Sequence, residues 1–313
     1  YVSFRDQWSA EAPPGREIAE AVIPGCEHAM EYHMIARGSG WAAISGQPPV
    51  KLEAGDIVMF PHGDSHVLSS APGMEPFRLT AEWIFSTRDV PKPFPIAYHH
   101  GVLEPGAKLP IEEAKTIAVC GFLGCDLKPF NPLIAALPRM LHLPAARTGN
   151  WVSSVIDQAV VESNDPRPGG SAVLERLSEM MFVDAARRYL EDLPEDATGW
   201  LAGLRDKSIG QALALIHQRP DKTWSIDSLA HEVGMSRSAF FERFVKYLGF
   251  PPMQYLANWR IQLASRLLRE TNLKVAAIAL EVGYESEATF SRAFRRLVGV
   301  PPAAWRRTHA SNS

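Results

Sequence analysis

The chain has 313 residues, 46% hydrophobic and 21% charged, with a net charge of -3 and a mean hydropathy of -0.10. These values describe globular protein of two or three domains and exclude a fibrous, low-complexity or disordered chain. No apolar run reaches the roughly 18 residues of a membrane span, no basic and apolar leader opens the chain, and three cysteines are too few for a disulfide framework, so a cytoplasmic protein without membrane contact is expected. The charge is uneven: from Ser208 onward there are 14 Lys/Arg against 8 Asp/Glu, or +6, which leaves -9 ahead of it. Only the C-terminal part suits a polyanion.

From about Trp8 to Val119 short apolar runs are broken by Gly, Pro and Asp, as in "VKLEAGDIVMFPHGD" and "FRLTAEWIF", which predicts strands. In the strand ending before Gly38, Glu31 and His33 share one face and Tyr32 and Met34 the other. Gly55-Asp56 is a turn into an apolar strand, and Pro61 and Gly63 form a second turn that presents His66. Glu31, His33 and His66 are therefore expected to converge, with Trp41, Trp83 and Phe85 as apolar walls of a ligand pocket. Cys26, His28, His33 and His66 are also donors of the types that hold a zinc-like divalent metal. The alternative is a pair of histidines hydrogen-bonded inside the fold or lining an organic ligand. Cys120 and Cys125 raise a redox reading, but Cys120 follows the strand-like "TIAV", where inert packing is expected.

From about Pro129 the period becomes helical. "SAVLERLSEMMFVDAARRYLEDL" places Val173, Leu174, Leu177, Met181, Ala185, Arg188 and Tyr189 near one stripe, an amphipathic helix suited to packing on its own domain or on a second subunit.

The C-terminal part contains an internal repeat. "SLAHEVGMSRSAFFERFVKYLGFPP" returns as "AIALEVGYESEATFSRAFRRLVGVPP", displaced by 49 residues before the glycine turn and 50 after it. Each copy predicts a short helix, a turn at Gly234 or Gly283, and a longer helix. Leu229, Phe240, Phe244 and Leu248 would be buried in the first copy, and Ile278, Phe290, Phe294 and Leu297 in the second. The outward positions of the longer helices, with their caps, are Ser236, Arg237, Ser238, Phe241, Glu242 and Lys246, then Ser286, Glu287, Ser291, Arg292, Arg295 and Arg296. Such pairs lay the second helix in the DNA major groove, where arginine grips guanine or phosphate. "PPMQYLANWRIQLASRLLRET" predicts one long spacer helix with Tyr255, Leu256, Trp259, Leu263 and Leu267 inward.

The stretch from Ser208 to Arg307 resembles the DNA-binding domain of the AraC/XylS transcription regulators, on "WSIDSLAHEVGMSRSAFFERF", on Arg260 and Arg266 of the spacer, and on "VAAIALEVGYESEATFSRAFRRLVGVPPAAWRR". The resemblance implies that the outward residues of both longer helices contact promoter DNA. Glu242 departs from relatives with a base-reading Arg or Gln there. The front resembles a cupin sensor domain: Gly55, Pro61, Gly63 and His66 fit the second cupin motif except its final Asn, and Glu31 with Gly38 fits the end of the first. The usual paired histidines ahead of Glu31 are absent.

The expected architecture is multidomain α and β: a cupin-like β-barrel over 1–128, a helical linker and dimerisation segment over 129–207, and an all-α domain with two helix-turn-helix units over 208–313. The expected function is a DNA-binding transcription regulator, by the family's habit an activator, whose cupin domain senses a small molecule. Its partners would be double-stranded promoter DNA, the effector, RNA polymerase and a second copy. It is not expected to be an enzyme. The alternatives are a cupin metalloenzyme of dioxygenase or isomerase type fused to a DNA-binding domain, and a cysteine-based redox regulator.

Overall fold

In the computed structural model, which describes residues 1–309 except 91, 100, 111, 149 and 166, the chain divides into two units. The first comprises Tyr1–Cys125 and Leu137–Tyr189, and the second comprises Asp126–Ala136 and everything from Leu190. The stretch 129–207 thus contributes to both.

The strands are β1 (Val2–Phe4), β2 (Ser9–Ala12), β3 (His28–Arg37), β4 (Ser39–Ile44), β5 (Val50–Glu53), β6 (Ile57–Phe60), β7 (His66–Ser69), β8 (Phe77–Arg78), β9 (Ile96–His99), β10 (Val102–Pro105), β11 (Thr116–Cys125) and β12 (Leu141–Leu143). They form a seven-stranded sheet in the order β10-β9-β1-β11-β3-β6-β12 and a five-stranded sheet in the order β5-β4-β7-β2-β8. Both sheets give side chains to one core, with Phe4, Ile35, Phe60 and Ala118 from the first and Ala42, Ile44, Leu52 and Leu68 from the second. Among the described residues the ladders close no barrel, because each sheet ends in two edge strands. The expected barrel is in this respect an open pair of packed sheets.

Helix α1 (Gly15–Val22) packs by Ile18 and Ala21 against Ile84 of α2 (Ala81–Ser86). The α2 segment corrects the strand expected over "FRLTAEWIF": only Phe77–Arg78 is strand. The Thr80 hydroxyl accepts from the Trp83 amide at 3.2 Å, and that cap starts a helix in its place. Then come α3 (Pro132–Ala136), α4 (Ala145–Thr148), α5 (Asn150–Asn164) and α6 (Gly170–Asp192). In α6 Ser178, Met181 and Ala185 are buried, but Val173 is 48% exposed. The buried stripe is therefore narrower than the apolar pattern.

The second unit holds α7 (Trp200–Arg205), α8 (Lys207–Gln218), α9 (Ile226–Glu232), α10 (Arg237–Leu248), α11 (Pro252–Glu270), α12 (Val275–Glu281), α13 (Glu287–Val298) and α14 (Pro302–His309). Helices α9 and α12 start 49 residues apart and α10 and α13 start 50 apart, as the repeat predicts. In both copies the glycine carries positive φ, +67° at Gly234 and +86° at Gly283. The next amide then turns back, from Met235 to the Ala230 carbonyl at 2.9 Å and from Tyr284 to that of Ala279 at 2.8 Å. This closure needs a left-handed residue. There are two cores, one around Phe240, Phe244 and Tyr255 and one around Phe290, Phe294 and Leu268. Spacer helix α11 serves both: it buries Tyr255 and Leu256 in the first and Ile261, Ala264 and Leu268 in the second. Trp259, Leu263 and Leu267, expected inward, are only partly buried because the inward face rotates between the cores. Leu297 is likewise partly buried.

Candidate effector cavity and nucleic-acid interface

A cavity of about 670 Å³ opens in the first unit, with Phe4, Trp8, Leu68, Trp83, Leu103 and Ala118 among its apolar walls. Its polar floor is Glu31, His33, His66 and Cys120. Strand alternation brings Glu31 and His33 to the inner face of β3, as expected. Cys120 is the cross-strand partner of His33 on β11, and His66 opens β7 on the other sheet.

The floor is a connected chain. Cys120 Sγ lies 2.9 Å from His33 Nδ1, and His33 Nε2 lies 2.7 Å from His66 Nε2. His66 Nδ1 lies 2.9 Å from the Asp64 carbonyl. A carbonyl only accepts, so His66 Nδ1 donates and its Nε2 is a bare lone pair. His33 Nε2–H then donates to it, and the Cys120 thiol donates to His33 Nδ1. Glu31 stands 3.7 Å from both Nε2 atoms. Phe60 stacks on the His66 ring, centroids 3.6 Å apart.

Burial keeps all four groups neutral. It raises the Glu31 carboxyl to about 8 and lowers His66 to about 4. It holds His33 well below its usual range, with His66 adding to the effect. It pushes the Cys120 thiol up to about 12, so thiolate character is suppressed. None of the three cysteines is in a disulfide.

Two expected groupings are not assembled. His28 lies on the opposite face of β3 from His33, where Nε2 donates to the Pro61 carbonyl at 2.8 Å. The Cys26 thiol donates to the His28 carbonyl at 3.1 Å. Odd and even positions of a strand face opposite sides, so His28 does not join His33 and His66, and Cys26, ahead of the strand, is held at the His28 carbonyl. Among the described residues the His/Cys/Asp/Glu group placed to hold a metal is Glu31, His33 and His66. Trp41 is absent from the cavity lining although Trp83 is part of it. The β4 residues that face the core are Ala42 and Ile44, and alternation turns Trp41 away. Phe85 is 42% exposed on α2.

The cavity also reaches past β3 to Leu174 and Ser178 of α6. Ser178 Oγ donates to the Leu174 carbonyl at 2.8 Å, so Tyr32 donates to Ser178 at 2.6 Å. Room for the Tyr32 ring comes from its cross-strand partner Gly121, where a Cβ would lie 2.2 Å from the Tyr32 oxygen. Sequence reasoning missed Tyr32 and Ser178 as site residues, and read Cys120 as a redox candidate or inert packing and not as a partner of His33. The only local signal was a glycine inside an apolar strand, which marks a close approach.

In the second unit Arg237, Ser238, Phe241, Glu242 and Lys246 are exposed on α10, as are Glu287, Arg292, Arg295 and Arg296 on α13. Ser291 is half-buried. Ser236 and Ser286 cap the two helices, accepting from Ala239 and Thr289 amides at 3.3 Å each. Arg237 pairs with Asp227 at 2.7 Å.

A family described as Cupin matches residues 1–191, and one described as a helix-turn-helix domain matches residues 229–308. The chain is 31% identical over 284 residues to a protein described as an AraC-like transcription regulator of Streptomyces lividans, covering 89% of this chain and 86% of that one. It is 27% identical to the transcriptional regulator AlkR of Acinetobacter baylyi, covering 90% and 88%. Identity to MtrA of Neisseria gonorrhoeae is 28%, covering 88% and 85%.

Proposed function

The chain belongs to the AraC-like transcription regulators, with a cupin domain ahead of a helix-turn-helix DNA-binding domain, and from that membership we propose that it is an effector-controlled activator working as a homodimer. The effector is a small, largely apolar molecule with a polar end, bound in the cavity of the first unit. The observation that carries this is the contrast between the cavity's apolar walls and the neutral polar floor of Glu31, His33, His66 and Cys120, with Lys92, Glu175 and Glu179 elsewhere on its lining. An effector acts only if it binds one arrangement of the regulator better than the other.

The exposed residues of α10 and α13 are assigned to promoter DNA, with Ser236 and Ser286 setting the helix ends. Val173, Met180 and Val183 form an exposed stripe on α6, 48%, 61% and 55% exposed. Their spacing suits a helix–helix seam with a second copy, and RNA polymerase is the expected further partner. No described helix is long and apolar enough to cross a membrane. The suppressed thiolate of Cys120 weighs against cysteine-based sensing, and sensing without turnover is the reading adopted.

The test selects operator sites from random duplexes with the full chain, then measures affinity against salt with and without candidate apolar effectors. A steep salt slope and an effector-dependent shift in affinity or oligomeric state are expected. A flat slope, or indifference to every compound that raises the melting temperature, would sink the proposal.

A further inference from the structure

The second unit holds a cleft of its own, about 520 Å³ in volume, bounded by Trp224 ahead of α9, by α11, by Tyr284 of the second turn and by α13. We infer that this cleft is a binding site for a small organic anion, an apolar or aromatic body carrying one carboxylate, and that its occupancy competes with DNA. The binding claim rests on the cleft alone. The competition rests on the assignment of Arg292 and Arg296 to promoter DNA.

The floor is apolar. Trp224, Met253, Leu256 and Ala257 line it, and Trp224 and Leu256 are only 6% and 4% exposed. Trp224 is fixed in place, since its Nε1 donates to the Arg219 carbonyl at 2.9 Å and the Lys222 ammonium lies 3.8 Å from its ring centroid. The walls come from packing one helix-turn-helix copy on the other. At Gly283 a Cβ would lie 2.7 Å from Arg260 Nη2 and 2.8 Å from Asp221 Cα, so the second turn packs tightly against the loop ahead of the first copy. The Arg260 guanidinium stands 5.6 Å from the Tyr284 ring centroid. Its Nε and Nη2 donate to the carbonyls of Pro220 and Lys222 at 2.7 and 2.9 Å. The fork is thereby held still, and Nη1 has no hydrogen-bond partner among the described residues.

Charge is the second observation. Arg260, Arg292 and Arg296 all border the cleft, and among the described residues none of them forms an ion pair. Elsewhere in the unit arginines are paired, Arg237 with Asp227, Arg243 with Asp206, Arg266 with Glu270 and Arg269 with Asp126. Arg292 reaches only the Thr289 hydroxyl, at 3.3 Å, and Asp221 is taken by Arg219 at 3.5 Å. Burial pulls Arg260 below its ordinary range, the mark of a desolvated cation without a counterion.

Three unpaired guanidiniums beside an apolar floor call for one molecule that satisfies both. A carboxylate accepts the parallel N–H bonds of an arginine fork, and an apolar body fills a floor whose volume is that of small-molecule sites. A DNA phosphate would answer the charge and leave the floor bare. An α13 arginine that holds the ligand carboxylate cannot also grip DNA, and linkage makes the antagonism reciprocal.

The test titrates the full-length protein with 2-naphthoate by calorimetry. Saturable binding is expected, with neutral 2-naphthol at least about tenfold weaker because it forgoes the charge-assisted hydrogen bonds. Arg296→Gln, at an exposed position, should weaken naphthoate by about 10–100-fold, and Ala257→Phe should fill the floor and abolish binding. Naphthoate held in the cavity of the first unit would survive both substitutions, and that result overturns the site. So do absence of binding, equal binding of naphthol, and displacement of naphthoate by equimolar inorganic phosphate. Circular dichroism confirms the fold of each variant, and Arg296→Gln gives a reading even if Ala257→Phe unfolds. The competition is read with a duplex selected by the full chain. Saturating naphthoate should raise its Kd by about tenfold or more in the wild type, and the effect should be lost in Ala257→Phe. Naphthoate binding that depends on Arg296 but leaves duplex affinity unchanged keeps the site and overturns the competition. Failure to select any duplex overturns the competition together with the DNA assignment, and the site stands.

Discussion

The Tyr255 hydroxyl lies 2.7 Å from Nε2 of His217 and accepts from Trp200 Nε1 at 2.8 Å. Its proton is therefore directed to His217, which must offer a lone pair and stay neutral. Three helices, α7, α8 and α11, meet at this one oxygen, beneath the first helix-turn-helix copy.

Burial lowers His217 from 6.5 to about 4. The unfolded chain takes up this proton below about pH 6.5 and the folded one does so only near pH 4, so stability falls as pH drops across that window and is unaffected above it. Denaturant melts of the full chain should lose about 2–3 kcal/mol to this residue between those limits, and the loss should disappear in His217→Gln. Tyr255→Phe strands two partly buried polar nitrogens and should cost about 1–3 kcal/mol.

Asp206 supports the first recognition helix from below. Its Oδ1 accepts from the Ser208 and Ile209 amides at 3.1 and 2.9 Å, capping α8, and Oδ2 accepts from Arg243 Nε of α10 at 2.9 Å. Asp206→Asn keeps the cap and loses the ion pair, whereas Asp206→Ala loses both. Thermal melts should order them wild type, Asn, Ala, with Ala about 2–4 kcal/mol below wild type.

Substituting Gly121 tests the link between the sheet and α6. In Gly121→Ala the new methyl collides with the Tyr32 hydroxyl, whose oxygen would lie 2.2 Å away. Tyr32 must then leave Ser178. A cost of about 1–3 kcal/mol and faster hydrogen exchange in α6 are expected; unchanged exchange would mean the contact does not hold that helix.

At the DNA face Arg292→Ala and Arg295→Ala should each weaken operator binding by about 1–3 kcal/mol. A base contact shows as relaxed sequence preference at one position, and a phosphate contact as a salt slope reduced by about 1. Lys51→Ala, on the exposed edge of the other unit, should do neither.

Local periodicity made half the site readable. The alternation along β3 fixes Glu31 and His33 on one face, the two glycines fix the turns of the repeat, and the burial of Phe240, Phe244, Phe290 and Phe294 follows from their spacing. What escaped depends on pairing between distant segments. His33 and Cys120 are 87 residues apart, and no spacing rule joins them. Trp41 looked like a pocket wall because it is large and apolar. Yet the inner face of β4 is Gly40, Ala42 and Ile44, small enough at Gly40 for the Trp8 ring to lie there. Which tryptophan fills a face is a question of complementary volume, and that is not written in either strand alone.

The chain leaves its sensor unit at Cys125, returns at Leu137, and leaves again after Tyr189. In the excursion, Asp126 pairs with Arg269 at 2.7 Å, and the Phe130 amide donates to Gln262 at 2.9 Å. The Phe130 ring sits 5.4 Å from Tyr255 and 6.2 Å from Phe250. The DNA-binding half is thus not a detachable cassette. A fragment cut at Ser208 leaves behind both Phe130, the stopper of its first core, and Trp200, a donor to its buried tyrosine. A separate peptide spanning 126–136 should be able to rejoin a fragment beginning at 190 and raise its melting temperature, as two halves of a split protein do.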